Sequence, residues 1–465
     1  MKLRAVLMCF VALVAFVSLA GAQTNASAVV AGDWSGTLDT GAVKLRVIVH
    51  VTRAEDGALS AKFESVDQGG AILPIDAIKV DGRQVSFEIA RAGISFTGAL
   101  ADDNQTISGV FTQGPAHLPL VFSRGTASIA LNRPQEPKPP FPYRSEDVTF
   151  PGGAAGVVLA GTLTLPSGAG PFPAAVLISG SGPQDRDEAL MGHRPFLVLA
   201  DRLTRAGIAV LRVDDRGAGK STGNFAMATT LDFASDAEAA VAFLKSRPEV
   251  AKTKIGLVGH SEGGVIAPIV ASRSSDVAFI VLLAGTGVDG ERVLLRQQVK
   301  LSSAAGLPDA VVESRRAMFA AAYAEMKAGD RSPETRARVD KIFADGGMAA
   351  EERQVALAQL GVPWFKTFLA LDPVTYLRQV KVPVLALNGS LDAHVDPAQN
   401  LPAIRAALAA AGNKDTEVAE LPGLNHLFQH AITGMPAEYG TIEETISPEV
   451  LERVSSWIVK HTAVR

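Results

Sequence analysis

Ser261 stands in Gly259-His260-Ser261-Glu262-Gly263-Gly264, directly after the apolar run Ile255–Val258 and before the helix-prone Val265–Ser272. A G-x-S-x-G pentapeptide between strand and helix is the pattern of a nucleophile elbow, a tight turn that lifts the serine hydroxyl clear of the sheet. A hydroxyl is a poor nucleophile until a neutral imidazole takes its proton, and the imidazole needs a carboxylate to fix its tautomer. On this template the acid and then the histidine follow the serine in sequence. Asp392 lies three residues past Gly389, after the apolar Val384–Leu387, and His426 lies in a loop after the strand-like Thr416–Leu421. Asp396 competes as the acid but sits farther from the strand end and before Pro397. His430 is the rival to His426. His394 is too close to Asp392 in sequence to be its partner, and His260 is expected to point away from its neighbour inside the elbow. The order and spacing predict Ser261 as nucleophile, His426 as general base and Asp392 as its acid.

The oxyanion formed during acyl transfer needs backbone donors. Glu262 N–H, next to the nucleophile, supplies one. The loop Ser179–Asp187 after the strand-like Ala174–Ile178 supplies the other, with Ser181 the first choice and Gly182 behind it. Read as a phosphate loop, this segment lacks the Lys-Ser/Thr pair and the dinucleotide spacing. Asp215–Ser221 reads as a turn shaping the site from behind. No H-E-x-x-H, paired cysteine or EF-hand pattern occurs, so neither a metal nor a cofactor is expected.

These groups must be carried by elements, and the chain supplies two kinds. From about residue 143 onward, apolar strands alternate with helices such as Phe196–Ala206 and Ala234–Ser246, the signature of a largely parallel α/β sheet. The gap from Gly285 to Val380 is too long for a simple crossover. It holds amphipathic stretches such as Asp309–Lys327 and reads as a helical cap, about 286–380, over the sheet's carboxyl edge. The prediction for residues 143–465 is an α/β-hydrolase fold with that cap. Residues 23–130 carry about eight short runs rich in β-branched and aromatic residues, parted by turn signals such as Asp56-Gly57 and Asp81-Gly82. They predict a small antiparallel barrel or sandwich, with Leu45, Val47, Val49 and Val51 on one face of a half-buried strand. One of the eight expected strands spans Ile72–Val80. Residues 131–142 hold Pro134, Pro137, Pro139, Pro140 and Pro142 and read as an extended linker.

The N-terminus reads as an export signal. Lys2 and Arg4 precede an apolar run from Ala5 to Leu19, and Ala20-Gly21-Ala22 offers a small-x-small cleavage site before Gln23. Residues 1–22 are thus a predicted signal peptide, the mature protein is expected outside the cytoplasm (periplasmic or secreted), and no membrane span is expected once the leader is cut. The single cysteine, Cys9, would leave with it. Loss of Lys2 and Arg4 takes the 44 basic residues to 42 against 48 acidic ones, so the formal charge moves from -4 to -6. No basic excess points to nucleic acid. With 47% hydrophobic and 20% charged residues, the chain excludes long disorder and can build real cores.

Taken together, Ser179–Asp187, the D-x-R-G-x-G-x-S-type run through Asp215–Ser221, Gly259–Gly264, Asn388–Val395 and Asn425–Gln429 resemble secreted bacterial α/β-hydrolase carboxylesterases grouped with the serine aminopeptidase-like hydrolases. Pro363-Trp364-Phe365 and Glu443-Glu444-Thr445 are similar too. The resemblance runs from about Val148 to the end, and Gly32-Asp33-Trp34-Ser35-Gly36 is similar to N-terminal extensions on such esterases. It implies hydrolysis of a small-molecule ester with the triad on Ser261, Asp392 and His426. A peptidase or amidase using the same groups, and an inactive envelope-binding protein, are the alternatives.

Overall fold

The computed structural model describes residues 28–39, 44–66, 71–114, 116–126 and 132–463; the predicted leader lies outside them. The chain divides into two compact units, Met1–Leu131 and Asn132–Arg465.

In the first unit, nine strands form one antiparallel sheet: β1 (Gly32–Asp39), β2 (Lys44–Arg53), β3 (Leu59–Ser65), β4 (Ala71–Pro74), β5 (Ala77–Asp81), β6 (Gln84–Ile89), β7 (Ile94–Leu100), β8 (Thr106–Gln113) and β9 (Ala116–Arg124). Their order is β4-β3-β2-β1-β9-β8-β7-β6-β5. Period-two alternation buries Val47, Val49 and Val51 with a phenylalanine core of Phe63, Phe87, Phe96, Phe111 and Phe122. The single strand expected over Ile72–Val80 is two. Pro74 closes β4 because it has no N–H to extend a ladder. Ile75 N–H then bonds Ala61 O of β3 and Asp76 N–H bonds Glu88 O of β6. Within two residues the chain steps from one edge of the sheet to the other, so the sheet is rolled into a half-barrel whose edges approach there.

The second unit holds a mixed sheet of β10 (Arg144–Pro151), β11 (Val158–Leu165), β12 (Phe172–Ile178), β13 (Ala209–Val213), β14 (Val250–His260), β15 (Phe279–Leu283), β16 (Val384–Gly389) and β17 (Thr416–Leu421), in the order β10-β11-β13-β12-β14-β15-β16-β17. β10 and β11 are antiparallel additions at one edge, and β13 through β17 run parallel. The central strands are apolar along their length because both faces are covered. One face packs on α2 (Thr230–Ser246), α3 (Gly263–Arg273) and α10 (Pro397–Ala410), the other on α1 (Pro195–Arg205) and α11 (Pro448–Thr462). Each fully buried aliphatic side chain in these layers contributes about 1.5–3 kcal/mol.

Between β15 and β16 come α4 (Gly290–Ala304), α5 (Asp309–Ala328), α6 (Pro333–Asp345), α7 (Ala350–Leu360), α8 (Pro363–Ala370) and the short α9 (Val374–Leu377). Asp289 caps α4 by accepting from Arg292 N–H, and Ser332 caps α6 ahead of a proline in its first turn. Both are the side chains that satisfy orphan amides at helix starts. These helices share a separate core around Tyr323, Met326, Val339, Phe343 and Leu369. Among the described residues no helix is long and apolar enough to cross a membrane.

From Asn132 the proline-rich segment is part of the second unit and is tied onto it. Arg133 donates to the carbonyls of Met191, Gly192, Gly440 and Ile442. The Gln135 side chain accepts from Thr445 and Ile446 N–H and donates to Ile446 O at 2.7 Å. Glu136 takes a two-point bond from Arg194. A segment without ladder partners of its own is thereby fixed by side chains that its prolines separate.

Candidate active site

The strand order turns back between β12 and β14, which leaves a crevice at their carboxyl ends where α/β sheets place ligands. The loop after β12 carries Ser181 and Gly182, and the end of β14 carries Ser261. The turn at Ser261 is tight enough to demand its glycines. A Cβ on Gly259 would lie 2.0 Å from Gly263 O, and one on Gly263 would lie 2.1 Å from Ile178 O. Ser261 itself is left-handed, at φ 52°, a conformation that a non-glycine residue holds only at a cost of about 1–3 kcal/mol. Its N–H is anchored to Leu283 O at 2.8 Å, so β15 pays for the turn.

His426 and Asp392 arrive from β17 and β16. His426 Nδ1 lies 2.8 Å from Asp392 Oδ2. Asp392 is fully buried, and its Oδ1 accepts from His394 and Val395 N–H at 2.8 Å each, while Asn388 Nδ2 donates to Oδ2 at 3.2 Å. Burial alone would raise this carboxyl, but the neighbouring His426, by charge and hydrogen bond, and the Val395 N–H outweigh it and hold it below the ordinary carboxylate range. The ionised form is therefore the one facing His426, which fixes its tautomer. Asp396, the competing acid, is bound to Arg296 and Lys300 and caps α10 through Ala398 N–H. His430 is exposed and paired with Glu444.

Ser261, His426, Ser181 and Glu262 line one cavity of about 240 Å³. Its remaining wall is largely apolar and partly supplied by the helices that follow β15: Val293, Leu294, Trp364 and Phe368. Gly182 is not on this wall; it lines a smaller cavity behind the elbow with Asp215 and Phe233. Gly180 N–H donates to Glu188 Oε1 at 2.7 Å and is spent. The Ser181 and Glu262 N–H groups carry no hydrogen bond among the described residues. The Glu262 carboxylate is turned inward, its Oε1 accepting from Thr230 Oγ1 and Trp364 Nε1 at 2.6 Å each. Burial raises its pKa. This bond pins α8 to the elbow.

Two histidines that sequence reasoning set aside flank His426. The His260 ring lies 4.8 Å from it and the His394 ring 4.9 Å, centroid to centroid. His260 does not point away: its Nε2 meets His426 O at 3.1 Å and its Nδ1 meets Glu188 Oε1 at 2.9 Å. Burial pushes His394 down to about 4, so it is neutral near pH 7. No local spacing signals these contacts, since they join segments far apart in sequence. Glu188 was equally invisible, apart from its place in the loop after β12.

A mostly parallel sheet with a serine on a left-handed strand-to-helix turn, and a buried carboxylate bonded to an imidazole that lines the same cavity, defines an α/β hydrolase. The serine aminopeptidase, S33 family matches this chain over residues 194–430. That is more than half of its length, and the protein belongs to this family and is a hydrolase. It is 26% identical over 325 residues to the esterase EstD of Thermotoga maritima, an overlap spanning 69% of each chain. Among solved structures it is similar to the α/β hydrolase GrgF of Penicillium sp. sh18, at 19% identity over 69% of this chain and 100% of that one, with a TM-score of 0.43. A Pyrococcus furiosus esterase is 17% identical over 71% of this chain and 97% of its own, also at a TM-score of 0.43.

Proposed function

We propose that this protein is an exported serine esterase that hydrolyses carboxylic esters of short to medium acyl groups. The carrying observation is the 2.8 Å bond between His426 Nδ1 and buried Asp392, opening on the cavity that also holds Ser261. In this reading His426 Nε2 takes the Ser261 hydroxyl proton as Oγ attacks the ester carbonyl carbon. The oxyanion is held by the Glu262 and Ser181 N–H groups, which nothing else engages among the described residues. Collapse breaks the bond to the alcohol oxygen, and His426 returns the proton to it. Water, deprotonated by His426, then attacks the acyl-Ser261 ester and releases the carboxylic acid.

The apolar wall of Val293, Leu294, Trp364 and Phe368 supports small acyl groups over peptides. An aminopeptidase must also hold a substrate ammonium with a carboxylate. Both carboxylates on the cavity wall are engaged, Glu262 with Thr230 and Trp364 and Glu188 with His260. The esterase name of the Thermotoga relative supports the same reading, and the leader-like residues 1–22 support export. The test compares kcat/KM for p-nitrophenyl butyrate with that for aminoacyl p-nitroanilides. The butyrate should be cleaved faster; a faster anilide would make the protein a peptidase of the same mechanism.

A further inference from the structure

His260 lies between two acceptors. Its Nε2 is 3.1 Å from the main-chain oxygen of His426, and its Nδ1 is 2.9 Å from Glu188 Oε1. A carbonyl oxygen cannot donate, so Nε2 carries a proton. Glu188 Oε1 also accepts from Gly180 N–H at 2.7 Å, and in its ionised form it accepts from Nδ1 as well. Protons on both nitrogens make the ring an imidazolium. We infer that Glu188 and His260 form a buried ion pair that positions three segments of the active site at once: the loop bearing Ser181, the elbow bearing Ser261 and the loop bearing His426. This rests on the esterase reading above for the reaction it serves, and both are positioning residues.

The geometry around the pair fits that role. The Glu188 and His260 side chains are 6% and 9% exposed, so the bond is shielded from water and salt. Glu188 is left-handed at φ 52°, a conformation kept only where the surroundings enforce it. Its Oε2 is buried with no partner among the described residues, so the carboxylate is committed through one oxygen to Gly180 and His260. A Cβ on Gly180 would lie 3.2 Å from Ser261 Cβ and 3.6 Å from His260 Nδ1, which places the pair directly behind the nucleophile. The His260 and His394 rings each lie against the imidazole of His426, tilted to it by 46° and 45°.

The titratable groups facing His260 are few. Glu188 faces it from the loop after β12, and His426 and Asp392 from the strand ends beyond. His394 senses it across His426. Asp215 and Glu262 lie on the side of Glu188, and Asp215, raised to about 7 mainly by burial, also feels both carboxylates. Burial of His260 disfavours its charge, but Glu188, the His426 carbonyl and Asp392 outweigh it and hold its pKa above the ordinary histidine value. The proton is therefore present below that raised pKa and is lost as pH rises through it. Rising pH should remove the clamp and give kcat an alkaline limb.

The experiment uses the full chain with 15N-labelled histidine, assigned with a His260→Gln variant. At neutral pH the long-range 1H–15N spectrum should show both His260 nitrogens protonated, and in Glu188→Gln only one. With p-nitrophenyl butyrate, Glu188→Gln should lower kcat by roughly 100-fold, the scale of a slightly misplaced catalytic group, with KM nearly unchanged and the alkaline limb moved to lower pH. A merely structural pair would lower melting temperature without moving that limb. A neutral His260 in the wild type overturns the inference without any variant, as does a Glu188→Gln enzyme with unchanged kcat and limb. A wild-type chain that hydrolyses no ester overturns the reading the pair serves, and the nitrogen spectrum still decides the ion pair itself.

Discussion

The two units bury different things. Among the described residues of the rolled sheet, the buried side chains are aliphatic and aromatic, and Ser35 and Ser65 are the buried polar ones. Its phenylalanines pack ring on ring, as in the T-shaped pair of Phe96 and Phe122 at 5.1 Å. The second unit buries Glu188, His193, Arg212, Asp214, Arg216, Asp236, His260, Glu262, Asp392, Asp396 and His426. Taking ionisable groups out of water costs several kcal/mol each unless partners compensate. Nearly all of these have partners, and most crowd the carboxyl ends of β12, β13, β14, β16 and the loops beyond. A fold that needed only stability would resemble the first unit. The excess of buried charge in the second marks where the chain carries its chemistry.

The largest test of that contrast is Ser261→Ala. It should lower ester turnover by roughly 10⁶-fold while circular dichroism and melting stay unchanged or improve, because alanine removes the hydroxyl and nothing that packs. Measurable residual turnover near wild type would place the chemistry elsewhere.

Next is the acid. Asp392→Asn should cost about 10⁴-fold in kcat by presenting the wrong hydrogen-bond pattern to His426 Nδ1. Asp396→Asn should leave kcat within a few-fold, since its bonds run to Arg296 and Lys300 on α4. Equal losses in the two variants would blur the distinction between a catalytic and a bracing carboxylate.

The first unit is probed through Trp34, which is 1% exposed, donates from Nε1 to Val30 O at 2.7 Å and lies under Arg124. Trp34→Ala should destabilise that unit by about 3–5 kcal/mol, seen as an earlier melting transition. Fluorophosphonate labelling of Ser261 should persist, and it should persist in a chain beginning at Asn132. Loss of labelling in both would show that the sheet completes the site.

The smallest effect is one of pH. His193 is fully buried, bonded to Thr445, Gln429 and Tyr439 O, and burial lowers its pKa to about 4 from 6.5. The unfolded chain takes a proton below about 6.5 that the folded chain refuses until about 4, so stability falls across that window as pH drops. His193→Gln should flatten the decline in the melting temperature of the second unit over the same range; an unchanged slope would shift the acid sensitivity to other groups.

The sequence by itself determined the features that local chain geometry dictates. Ser261 was legible because the elbow needs glycines at positions 259 and 263, where any Cβ would strike backbone. The alternating strands and helices of the second unit followed from apolar runs and periodicity, and the phenylalanine-rich strands of the first from alternation. Tertiary structure decided whatever depends on segments meeting. Period-two alternation alone could not reveal that Pro74 divides a strand between two sheet edges, nor that β10 and β11 extend the second sheet. Composition read residues 131–142 as a linker, whereas Arg133, Gln135 and Glu136 bind a surface that exists only once residues 191–194 and 440–446 have folded. Of the expected oxyanion donors, Ser181 reaches the cavity and Gly182 faces the space behind it, a choice made by loop conformation. The packing of the His260 and His394 rings against His426, and the bond from Glu188, join residues up to 166 positions apart. Such contacts have no sequence period because the strands that create them are ordered by topology, and side chains are brought together by the sheet's edge rather than by their spacing along the chain.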